Sequence, residues 1–172
     1  MADVLFIYPR QGINVKHVSV WLPLSILSAA GPLLQKGYTV KILDARLDDN
    51  WENTLKEEVK KKPIFVGLSA MAGPQLHWAL RTAEIVKENN PDIPLVWGGV
   101  LVKLIQNVAI KDPRVDIIVI GDAEETLVEL CSKLRNRESL EGVLGITYKT
   151  KDSKPVFNPP RKFVDLNTLP PI

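Results

Sequence analysis

Five short apolar runs punctuate the first two-thirds of the chain, with polar and periodic stretches between them. The runs are Val4-Leu5-Phe6-Ile7-Tyr8, Tyr38–Leu43, Ile64–Leu68, Leu95-Val96-Trp97 running into Gly98-Gly99, and Val115–Ile120. Continuous apolarity without alternation suits strands buried on both faces, as in parallel sheets. The stretches between them read as helices. Leu22–Gln35 is one, with Pro23 acceptable in its first turn, Gly31-Pro32 predicting a kink or break, and Gly37 closing it. Thr54–Lys61 is a short polar helix stopped before Pro63. Pro74 opens a helix to about Asn89, with Leu76, Leu80, Ala83 and Val86 at helical spacing. Leu101, Leu104, Ile105, Val108 and Ala109 form one helical face. The last helix turns Leu127, Leu130, Cys131 and Leu134 inward, and Asp122 with Glu125 three residues on makes a capping-box pattern at its start.

Strands alternating with helices predict a doubly wound α/β fold, Rossmann-like or flavodoxin-like: a five-stranded parallel sheet in the order 2-1-3-4-5 with helices on both faces. The pattern changes after Arg137. Gly145–Lys149 and Pro155–Phe157 predict a hairpin around Lys151-Asp152-Ser153, and Asn158–Ile172 is proline-rich. Residues 1–137 are therefore expected to form the main domain, and 138–172 a hairpin and linker.

A chain of 172 residues fits one domain with a tail. With 22 Lys and Arg against 20 Asp and Glu, the net charge of +2 gives no argument for nucleic acid or for a membrane surface. The block Lys60-Lys61-Lys62 reads as a solvated helix end. No apolar segment reaches the roughly 18–20 residues of a membrane span, and the start lacks a secretory n-region. One cysteine, Cys131, excludes an intramolecular disulfide and points to a cytoplasmic setting; it lies in an apolar run and reads as core.

In an open parallel sheet, ligands bind beyond the carboxyl ends of the strands. The segments there are Pro9-Arg10, Asp44-Ala45-Arg46, Ser69-Ala70-Met71-Ala72-Gly73, Gly98-Gly99-Val100 and Gly121-Asp122-Ala123-Glu124. The last three are mostly small. They are either the floor of a ligand site or plain strand-to-helix turns. Several chemistries lack their pieces: no G-x-G-x-x-G or G-x-x-x-x-G-K-[ST] follows a strand, Gly67–Met71 fails the nucleophile-elbow pattern, and His17 and His77 have no zinc partners at ligand spacing.

In order and spacing, several stretches match a known pattern. They are Trp21-Leu22-Pro23-Leu24, Gly37-Tyr38-Thr39-Val40 with Asp44, Val66-Gly67-Leu68-Ser69, Trp97-Gly98-Gly99, and Val115-Asp116-Ile117-Ile118-Val119-Ile120-Gly121-Asp122-Ala123-Glu124-Glu125-Thr126. The chain resembles the N-terminal cobalamin-binding domain of cobalamin-dependent radical S-adenosylmethionine enzymes, with Asp122 and Ala123 departing mildly from the "GEGE" signature. The resemblance implies a corrin resting on the sheet edge and a nucleotide tail beside the middle strands. By position, Ser69 would hydrogen-bond the tail beside Ala70 and Met71. Gly98 and Gly99 would let backbone approach it, followed by Val100 and by Leu101, which stands where relatives often carry His. Gly121, Asp122 and Glu124 would close the other side, and Leu22, Pro23 and Leu24 would meet the corrin face.

The D-x-H-x-x-G motif that supplies a cobalt-ligating His in other cobalamin domains is absent: Val15 and Val20 flank His17, and Gln75 and Leu80 flank His77. The implied function is base-off cobalamin binding without a His ligand, in the cofactor domain of a radical S-adenosylmethionine methyltransferase. A [4Fe–4S] cluster and S-adenosylmethionine would belong to a radical domain of the same polypeptide, since one cysteine cannot supply C-x-x-x-C-x-x-C. Phe163–Ile172 resembles the linker into that domain, and the chain alone is not expected to be catalytic. The alternatives are a degenerate cobalamin fold, or a flavodoxin-like docking module that binds no corrinoid.

Overall fold

The computed structural model describes residues 2–12 and 20–170. His17 lies outside them. Seven strands form one sheet in the order β2-β1-β3-β4-β5-β6-β7. The first five, β1 Val4–Tyr8, β2 Val40–Asp44, β3 Phe65–Ser69, β4 Leu95–Gly98 and β5 Ile117–Val119, are parallel in the predicted 2-1-3-4-5 order. The predicted hairpin, β6 Ile146–Lys149 with β7 Pro155–Phe157, does not stand apart. Strand β6 pairs antiparallel with β5, so the sheet has seven strands instead of five.

Because successive side chains of a strand point to opposite faces, each strand feeds two cores. Leu5, Ile7, Leu43, Val66, Leu68, Leu95, Trp97 and Ile118 pack on the face shared with helices α2 (Trp51–Lys60) and α3 (Pro74–Asn89). Val4, Phe6, Phe65, Val96, Ile117 and Val119 pack on the face covered by α1 (Leu24–Gln35) and α6 (Glu124–Arg135). Lys41 and Lys61 both donate to the buried carboxylate of Glu58, tying edge strand β2 to α2.

Three expectations are corrected. Helix α1 is not broken at Gly31-Pro32 but runs to Gln35 with Pro32 inside it. The helix after β4 is not continuous: it splits at Ile105 into α4 (Val100–Leu104) and α5 (Gln106–Ala109). The apolar face predicted there is largely exposed, with Leu104 and Val108 outward and Val102 as the buried residue of α4. Finally, Asp122 does not cap α6. The N-cap position is Ala123, without a side-chain cap, and an Asp122 carboxylate oxygen accepts from the backbone N–H of Val164 at 3.0 Å.

Candidate functional site

At the carboxyl ends of β1, β3, β4 and β5, on the α1–α6 side, the two layers part around a cavity of about 230 Å³. Its floor comes from the inward positions of the sheet. Phe6, Gly67 and Val96 are aligned neighbours across β1, β3 and β4, and Ser69 and Gly98 are aligned above them. Ser25, Ile26 and Ala29 of α1 form one wall, and Gly121–Glu124 with Leu127 of α6 the other. The Ser28 hydroxyl donates to Glu124 at 2.5 Å and joins the two walls.

The glycines here are small for different reasons. A Cβ on Gly67 would lie 2.4 Å from the Phe6 ring, so Gly67 is the seat of that ring. Gly99 has φ +108° and a Cβ there would lie 2.5 Å from the Ala70 carbonyl oxygen, so the turn itself demands glycine. Gly98 has neither constraint: its φ is ordinary, and a Cβ would meet nothing within 4 Å. Because Gly98 lines the cavity, its missing side chain is cavity space.

Among the predicted site residues, Ser69, Gly98, Gly99, Gly121, Asp122 and Glu124 line this cavity together. Ala70 does not; it is fully buried, and its N–H donates to the Gly98 carbonyl. Leu22, Leu24, Met71 and Val100 are exposed in segments that belong to the same sheet edge, and Pro23 and Leu101 are part-buried there, all outside the lining. Phe6, Ser25, Ile26, Ala29, Gly67 and Val96 also line it, although periodicity marks them as ordinary core or helix positions. Ala29 itself gives no local signal, since it shares the buried side of α1 with Ile26, Ala30 and Leu33.

The described lining holds two carboxylates, two serine hydroxyls and no cation. Such a surface accepts hydrogen bonds and repels anions, so it suits a neutral group bearing hydroxyl or N–H donors. At the neighbouring strand ends, Arg46 clamps Asp44 at 2.6 Å and lies 4.2 Å over the Tyr8 ring, and Arg10 pairs with Asp49. The hydrogen bonds to Asp44 push the Arg46 guanidinium further above its ordinary range. Cys131 is buried, and desolvation pushes its thiol up to about 12, which makes it a core residue and not a nucleophile. No cluster of three or more His, Cys, Asp or Glu able to hold a metal occurs among the described residues. His77 is exposed on α3 with its ring against Trp78. No helix among the described residues is long and apolar enough to cross a membrane.

A doubly wound sheet with a cavity at its switch-side edge defines a small-molecule or cofactor-binding α/β domain. The particular family follows from comparison with known proteins: the B12 binding domain model matches residues 10–131, and the chain belongs to that family. It is similar to the anaerobic magnesium-protoporphyrin IX monomethyl ester cyclase of Rubrivivax gelatinosus, with 33% identity over 98% of this chain and 32% of that protein. An uncharacterised methyltransferase of Pyrococcus horikoshii is 28% identical over 94% of this chain and 35% of its own length. The chain thus spans about a third of these relatives. Among solved structures, the radical S-adenosylmethionine methyltransferase TsrM of Kitasatospora setae, with cobalamin and a [4Fe–4S] cluster bound, superposes with a TM-score of 0.78 at 21% identity, over 99% of this chain and 31% of that one. The cobalamin-dependent S-adenosylmethionine radical enzyme OxsB gives 0.72 at 18% identity, over 94% of this chain and 22% of that one. At those identities the likeness shows the shared fold.

Proposed function

We propose that the chain binds cobalamin across the carboxyl edge of β3–β5, with the neutral nucleoside end of the cofactor's tail in the Ser69–Gly98–Gly121 cavity. The observation that carries this reading is the empty Cβ position of Gly98 on the cavity floor. Ser69, Asp122 and Glu124 would accept from the tail's donors, and Phe6 would form the bottom. Leu22, Pro23, Leu24, Met71, Val100 and Leu101 would meet the exposed parts of the corrinoid at the rim. The flavodoxin-like alternative lacks its Ser/Thr-rich phosphate turn after the first strand, where Pro9-Arg10-Gln11-Gly12 stands.

The proposal includes base-off binding with no His from this chain on cobalt. His77 lies outside the lining, and the residues around both histidines depart from D-x-H-x-x-G. Bound cobalamin supplies methyl-carrying chemistry; the chain's own residues bind and orient the group. We place the domain in a radical S-adenosylmethionine methyltransferase of the cytoplasm, with residues 138–172 leading toward a radical domain that holds a [4Fe–4S] cluster and S-adenosylmethionine. A cyclase role for the parent protein is the second reading, favoured by the 33% identity to the Rubrivivax cyclase.

The test is retention of hydroxocobalamin through gel filtration, read from the visible spectrum, followed by reduction to cob(II)alamin and electron paramagnetic resonance. Stoichiometric corrinoid without nitrogen superhyperfine splitting is expected. No retention at micromolar protein overturns the binding claim; a nitrogen splitting overturns the base-off, His-free part.

A further inference from the structure

The proline-rich tail does not leave the domain after β7. It folds back over the two helices that wall the cavity. Asn158 donates its side-chain amide to the carbonyls of Leu140 and Val143 at 2.8 and 2.9 Å, and its backbone N–H to Ile146. The Arg161 side chain is largely buried; it donates to the Thr126 hydroxyl at 2.9 Å and pairs with Glu125 and Glu129, all on α6. Val164 N–H donates to Asp122. Further on, Pro170 lies against α1, where a Cβ on Gly31 would come within 2.7 Å of it. One segment thus grips α6, the loop before α6, and α1.

That grip reaches the cavity at Asp122. This residue stands one position before the N-cap of α6, Ala123, and its carboxylate holds the tail instead of the helix end. The loop Gly121–Ala123, which forms one cavity wall, is therefore anchored by a residue 42 positions away in sequence. We propose that residues 158–170 are a strap belonging to the ligand site, and that Arg161 is a positioning residue that sets corrinoid affinity through α6 and Asp122. The inference rests on the cobalamin reading. Because coupling between sites is reciprocal, a ligand that needs the wall in place must in turn tighten the strap.

The experiment measures hydroxocobalamin affinity of the 172-residue chain by visible titration, and amide exchange at Val164 with and without corrinoid. Arg161→Ala is expected to weaken binding about tenfold and Arg161→Lys to restore part of it, with slowed Val164 exchange in the wild type once corrinoid is added. Gly31→Leu, which favours helix α1 but displaces Pro170, is expected to weaken binding in the same direction without lowering the melting temperature. Equal affinity in wild type and Arg161→Ala, with faster Val164 exchange in the variant, overturns the coupling alone. No corrinoid binding by the wild type overturns the reading beneath it, and the coupling with it.

Discussion

The two faces of the sheet are built from alternate residues of the same strands, and they end differently. On the α2–α3 face, Ile7, Leu68 and Trp97 carry the apolar packing up to the strand ends, and Ala45 and Ala70 close it, all nearly inaccessible to water. On the α1–α6 face, the positions next to them are Gly67, Ser69 and Gly98, with Ala29 opposite, and packing stops short to leave the cavity. Side-chain volume at a few inward positions thus separates a filled core from an open cavity. The backbone topology is common to both.

The contrast breaks hardest on the filled face. Trp97→Ala removes a large, fully buried side chain and is expected to cost about 3–5 kcal/mol in urea unfolding. Next comes Gly99→Ala, where φ +108° and the nearby Ala70 carbonyl predict a loss of about 1–3 kcal/mol in the same assay. Gly98→Ala, one residue earlier, should change stability by less than about 0.5 kcal/mol, since its Cβ enters open space. Equal costs at the two glycines would remove the distinction between a structural and a cavity-facing glycine.

Acid should not discriminate between the faces, because the tied carboxylates lie at their margins. Hydrogen bonding to the Thr39 backbone holds Asp3 below its usual 3.8, and Arg114 does the same for Asp112. Burial alone would raise Glu58, but Lys41 and Lys61 more than offset it and leave it below 4.5. A depressed folded-state value means stability that is present above the unfolded value and lost as pH falls through the folded one. The unfolding midpoint is therefore expected to be level near neutral pH and to drop below about pH 4, and the Asp3→Asn chain should show a shallower drop. An identical acid profile for that variant would show that Asp3 has no part in it.

Much of this contrast was legible in the sequence where it depends on local chemistry. Pro74 and Asn89-Asn90-Pro91 mark the ends of α3, and the five apolar runs give the five parallel strands in order. What escaped depends on partners far along the chain. Asp122 reads as a helix cap because Val164, its partner, is 42 residues away. The β6–β7 hairpin reads as separate because nothing local announces its pairing with β5. Leu104 and Val108 read as core because their spacing fits one regular helix, which the chain interrupts at Ile105. At the candidate site, the small residues of the strand ends were visible, while Phe6 and Ala29 were hidden among ordinary core positions.

The most direct test of the account sets wild type and Gly98→Leu side by side in a visible titration with hydroxocobalamin, with unfolding midpoints as the control. Saturable binding by the wild type is expected, with a loss of at least about 100-fold in the variant, roughly 2.7 kcal/mol, and closely similar midpoints for the two chains. Equal affinities in two equally stable chains would show that the Gly98 cavity is not where the corrinoid binds.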